Sequence, residues 1–116
     1  MKEKKIEFFC PFRYTLNVLK GKWRFAIIYS LLKNDRLRFK ELERDIFGIT
    51  PRMLIKELKE LEKEKIIKRK AFATVPPTVE YNLTDYGKTL QPIILSMTAW
   101  GQNHLETTQE KKQSSK

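Results

Sequence analysis

One cysteine and one histidine occur in 116 residues, and that scarcity removes several kinds of chemistry. Cys10 cannot close an internal disulfide, so the chain does not read as a cross-linked extracellular scaffold and a reducing, cytoplasmic setting is expected. Cys10 and His104 alone cannot make a metal-ligand cluster, and no local motif pairs them as nucleophile and base. His104 reads as an ordinary polar or interface residue. With four glycines there is no glycine-rich phosphate loop. The acidic residues are dispersed among lysines at helical spacing, which suits i,i+4 pairing and not paired catalytic acids. No enzyme, metal or cofactor is expected. Long apolar runs are also missing: nothing approaches the roughly 18 residues of a membrane span, and MKEKKIEFF holds no signal-type apolar segment.

Positive charge is what the chain has in excess. Its 24 basic and 14 acidic residues leave a net charge of +10. Half of that lies at the ends, in Met1 to Lys5 and Lys111 to Lys116, but Thr50 to Lys70 alone carries +4. A basic face concentrated in this way points to a polyanionic partner.

The order of elements gives that face a context. Pro11 suits the first position of a short helix reaching Leu19. From Lys22 to Leu32 the apolar residues are nearly continuous, as in a buried central helix. Leu37 to Phe39 is too short for more than a brief strand, and a third helix follows from about Lys40 to Ile46. In DIFGITPRML, Gly48 can close one helix in the left-handed conformation, Thr50 can cap the next and Pro51 fits its first turn. Two helices about a glycine turn form a helix-turn-helix. Leu54, Leu58 and Leu61 then face inward, which turns Arg52, Lys56, Lys59 and Lys63 outward with Ile55 at the boundary. Ile66 to Phe72 and Thr78 to Leu83 read as strands joined by ATVPP, the tip of a hairpin. Thr84 caps a long last helix carrying Leu90, Ile93, Ile94, Met97, Trp100 and Leu105. Residues 1–9 are expected as an N-terminal arm, 10–106 as one domain and 107–116 as a polar tail without order.

The expected fold class is therefore mainly α with a small β-hairpin wing, a winged helix-turn-helix. In such a fold the second helix of the motif enters the major groove and the hairpin reaches the adjoining backbone. Arg52 and Lys56 are the candidates for base contact, with Pro51 and Ile55 beside them at the reading end. Thr50 could hold a phosphate through its hydroxyl and backbone N–H. Arg38, Lys59, Lys68, Arg69 and Lys70 are the candidates for further phosphate contacts.

CPFRYTLNVLKGKW, RFKELERDIFGITPRMLIKELKELE and VPPTVEYNLTDYGKTLQPIILSMTAWG, in that order, resemble the HxlR family of bacterial transcriptional regulators, relatives of the MarR type. The resemblance spans about residues 10 to 104. It implies a dimer formed through the first and last helices, a palindromic operator and, commonly, repression. It also implies that Cys10 stands where several members sense electrophiles or oxidants.

Dimerisation has an independent argument. The last helix holds six large apolar residues in about 16 positions, and Phe8, Phe9 and Phe12 add aromatic surface that a 13.9 kDa chain has little core to cover. The interface is accordingly expected to include Phe8, Phe9, Phe12, Leu90, Ile93, Ile94, Met97 and Trp100, and to set two half-sites roughly 34–36 Å apart. For Cys10 two effects compete. A cap position before Pro11 would favour the thiolate, while the flanking phenylalanines would disfavour it by excluding water. Two other readings stand beside a thiol-controlled regulator: control by a small aromatic ligand among Phe12, Trp23 and Trp100, and a basic RNA- or partner-binding module without operator specificity.

Overall fold

The structure, a computed structural model, describes the backbone of residues 2–114 and the side chains of residues 10–109. Five helices, α1 (Lys2–Leu19), α2 (Trp23–Lys33), α3 (Phe39–Asp45), α4 (Pro51–Lys63) and α5 (Gln91–Ser114), are interleaved with strands β1 (Leu37–Arg38), β2 (Ile67–Phe72) and β3 (Thr78–Leu83). As the continuous apolar run predicts, α2 lies at the centre, with Ile27 and Ile28 fully buried. Leu54, Leu58 and Leu61 of α4 close on it from one side. Ile67, Tyr81 and Leu83 of the sheet complete the core.

The sheet has three strands, not two. β1 adds to the hairpin in the order β1-β3-β2, pairing Leu37 with Tyr81 and Arg38 with Glu80. This is the brief strand expected near Leu37 to Phe39, but two residues are too few to show which edge it would pair with. β2 pairs with β3 from Ile67↔Leu83 to Phe72↔Thr78.

Two expected helix starts are displaced. α1 begins at Lys2 and runs through Pro11, so the first residues continue the helix instead of forming a separate arm. Pro11 keeps a helical φ but gives no N–H to the helical ladder, so the helix runs through it without that one bond, between residues that include good helix formers. Thr84 caps only a short 3₁₀ turn, Gly87–Leu90, by accepting the Gly87 N–H at 2.8 Å; α5 starts after it. At its far end α5 continues to Ser114, across most of the expected tail.

The Thr84 corner is tight. The Thr84 hydroxyl also donates to the Lys65 carbonyl at 2.6 Å. Gly87 packs so closely that a Cβ there would lie 2.1 Å from the Ile66 carbonyl oxygen. Glycine is required at this point by space.

Beyond the core, α5 projects. Ile94 is fully buried and Leu90 nearly so, but every residue from Leu95 to Thr107 is exposed. The radius of gyration is 17.7 Å, well above the ~13 Å of a compact domain of about this length.

Candidate nucleic-acid interface

The helix-turn-helix is built as its residues dictate. Gly48 adopts φ +87°, where a side chain would be strained, and lets α3 turn into α4. Thr50 takes an extended conformation and its hydroxyl accepts the Met53 N–H at 3.2 Å. Pro51 has no N–H, so the Arg52 amide is the open donor of the first turn, at the positive end of the helix dipole. At 3.6 residues per turn, Arg52, Lys56, Lys59 and Lys63 share an arc of roughly 60° opposite the buried leucines. All four are exposed.

The flanks of that basic arc differ. On one side Ile55, 44% exposed, shares a groove with Lys59, Glu62, Arg69 of β2 and Tyr81. On the other, Glu57, Glu60 and Glu64 turn toward α2 and meet Arg24. Two further apolar side chains stand near the start of α4, without a periodic signal in the sequence: Phe47 is 98% exposed in the turn and Met53 is 41% exposed. Exposed apolar groups there can meet the methyl group of thymine.

Strand alternation separates the basic residues of the hairpin. Arg69 lies on the face that turns to α4, whereas Lys68 and Lys70 line the opposite face with Arg36, Glu80 and Asp35. Lys70 rests over the Phe72 ring at 5.3 Å. Arg38 stands in a third place, a groove of about 330 Å³ between α3 and the tip of the hairpin, beside Lys40, Arg44, Pro77 and Thr78. Lys40 and Arg44 were not singled out from the sequence. Their lysine and arginine chemistry was visible there, but their approach to the hairpin tip is tertiary.

The remaining expected site residues divide as follows. Cys10 sits in the interior of α1 and is half-buried, so it does not occupy a helix cap. The dipole contribution expected there is confined to the first turn of a helix and does not reach it. Leu90 and Ile94 belong to the subunit's own core and are corrected as interface residues. Phe12 and Trp100, each 68% exposed, Met97 at 48% and Ile93 at 41% remain on the surface, joined by Leu95 and Leu105. The side chains of Phe8 and Phe9 lie outside the described residues. Trp23 packs beside the Gly48 turn, 3.7 Å from where a Cβ would stand on that glycine, and is partly buried against the core, whereas Phe12 and Trp100 stay exposed. Trp100 stacks on His104 with ring centroids 4.9 Å apart.

A capped helix that presents one basic arc beside a hairpin has relatives. The sequence model of the HxlR-like helix-turn-helix family matches residues 18–109. The chain belongs to that family. It is 50% identical over 91 residues to the HTH-type transcriptional regulator BH0655 of Halalkalibacterium halodurans, covering 78% of this chain and 80% of the relative. Among solved structures, the redox regulator HypR in its reduced form superposes with a TM-score of 0.80 at 40% identity, covering 86% of this chain and 98% of HypR. HypR in its oxidised form matches with a TM-score of 0.75 at 44% identity, over 81% and 96% of the two chains. This HxlR-like chain is thus a transcriptional regulator of the helix-turn-helix type, with the winged MarR-like fold, and not an enzyme. Among its described residues no helix is long and apolar enough to cross a membrane.

Proposed function

We propose that this HxlR-like regulator binds a palindromic operator in double-stranded DNA as a homodimer and represses transcription. The observation that carries the reading is the basic arc of α4, presented from a capped N-terminus with Arg69 across the adjoining groove. Arg52 and Lys56 take the base contacts. Thr50, Lys59, Arg69, Arg38 and the neighbouring Lys40 and Arg44 hold phosphates, and Lys68 and Lys70 serve a more distant part of the backbone. Two copies meet through the exposed apolar residues of α5 and α1: Phe12, Ile93, Met97 and Trp100, with Leu95 and Leu105. Repression follows from the family resemblance in the sequence.

Cys10 is the proposed control point. Support comes from its half-buried place in α1, a helix of the proposed dimer interface, and from the likeness to a regulator solved in both redox forms. With one cysteine per chain, oxidation can form a disulfide only with a second chain or with a small thiol, and an electrophile can add to the sulfur directly.

Selection of genomic DNA fragments by the purified protein, with and without a thiol-reactive electrophile, tests both parts. Enrichment of a palindromic sequence bound ~10³-fold or more above random DNA is expected. Equal binding of all fragments would instead support a basic module without operator specificity. Release by the electrophile is expected for the native chain and not for Cys10→Ser.

A further inference from the structure

Arg24 is the one charged residue among those described that is buried, at 8% exposed. From α2 its guanidinium reaches two other helices. Nε donates to Glu57 Oε1 at 2.9 Å, and Nη1 donates to the Asn17 carbonyl in the last turn of α1 at 3.1 Å. Nη1 also lies 3.5 Å from Glu64 Oε2, and Nη2 lies 3.8 Å from Glu60 Oε1. Glu57 and Glu60 of α4, with Glu64 at its C-terminal cap, form one stripe next to the basic arc.

A buried ion pair is a weak source of net stability, because desolvation offsets much of the attraction and an apolar residue would serve as well. What the guanidinium adds is direction. The buried leucines fix which face of α4 turns inward, but their contacts are non-directional and tolerate small rotations of one helix against the other. Planar, charge-assisted bonds do not. A small rotation of α4, with the leucines still buried, would re-aim Arg52 and Lys56 and bring the glutamate stripe nearer to the place of the basic arc.

We propose that Arg24 is a positioning residue for operator reading: it fixes the rotation of α4, holds three carboxylates away from DNA and ties that setting to the end of α1. The proposal rests on the DNA-binding reading of α4. Its selectivity consequence is separate from folding. Phosphate attraction depends on charge that remains, whereas base contact depends on the aim of Arg52 and Lys56.

The test compares native protein, Arg24→Gln and Arg24→Lys on a selected operator fragment and on random DNA, with melting curves to establish folding. Arg24→Gln is expected to lose about tenfold in operator affinity with little change on random DNA, and Arg24→Lys, which keeps the charge but not the fork, to lose less. If Arg24→Gln does not fold, Arg24→Lys carries the comparison, with an expected loss of about threefold in the operator-to-random ratio. A native protein that does not discriminate its operator overturns the DNA reading itself. A native protein that does discriminate, with folded variants of unchanged ratio, overturns the role of Arg24 alone.

Discussion

Arg52 and Arg69 are proposed to put the same charged group to two different tasks, and the difference is measurable. Arg52 stands at the open end of α4, where a bidentate contact to a base edge is geometrically available. Arg52→Ala is expected to weaken operator binding by about 1–3 kcal/mol and to relax base preference at one position. Arg69→Ala, at a proposed phosphate contact, should weaken operator and random DNA alike and reduce the salt slope by about one. Binding measured across a salt series on both DNAs distinguishes them; equal losses on both DNAs for Arg52→Ala would remove its reading role. Cys10 is the other residue on which the proposed control depends. Its position inside α1 takes away the helix-end argument, so the proposal rests on its half-buried place in a helix of the proposed interface.

At the scale of the element, two small features hold the reading head in place. Thr50→Ala removes the acceptor for the Met53 N–H and should cost about 1 kcal/mol of stability, seen as a lower denaturant midpoint with an unchanged m-value. Gly87→Ala sets a methyl group against the Ile66 carbonyl. Because the obstacle is backbone, the corner between β2 and the 3₁₀ turn must open, at a cost of about 1–3 kcal/mol by the same measurement. The Thr50 effect is confined to the start of α4. The Gly87 effect strikes where the hairpin returns to α5, and should also disturb the alignment of the two proposed reading heads.

At the scale of the whole molecule, the exposed apolar surface of α5 supports the proposed dimer. A 24-residue α5 whose exposed part carries Leu95, Met97, Trp100 and Leu105 leaves apolar surface uncovered far from the core. Replacing Trp100 by Glu is expected to shift the protein toward monomer in sedimentation at micromolar concentration without unfolding it, since Trp100 is not part of the core. Operator affinity should then fall by about 10²–10⁴ through loss of the linked second half-site, while random-DNA binding changes far less. A stable dimer with Trp100→Glu would place the interface elsewhere.

Much of this protein is determined by local rules that a single sequence displays. The spacing of Leu54, Leu58 and Leu61 sets the inner face of α4, and Gly48, Thr50 and Pro51 set its start through a left-handed turn, a cap and a missing donor. Alternation likewise marks β3, and proline position marks the hairpin tip between β2 and β3. Tertiary structure decided what no period records. A two-residue β1 joins the sheet because β3 offers it an edge, α1 runs through Pro11, and Leu90 and Ile94 enter the core while Met97 and Trp100 do not. Arg24 shows the limit most clearly: in the run KWRFAII it is one charge in an apolar helix, and only the approach of Asn17, Glu57 and Glu64 in space turns it into a directional link. Helical and strand patterns report which way a side chain points along its own element, whereas a buried charge acquires its meaning from partners that sequence distance keeps apart.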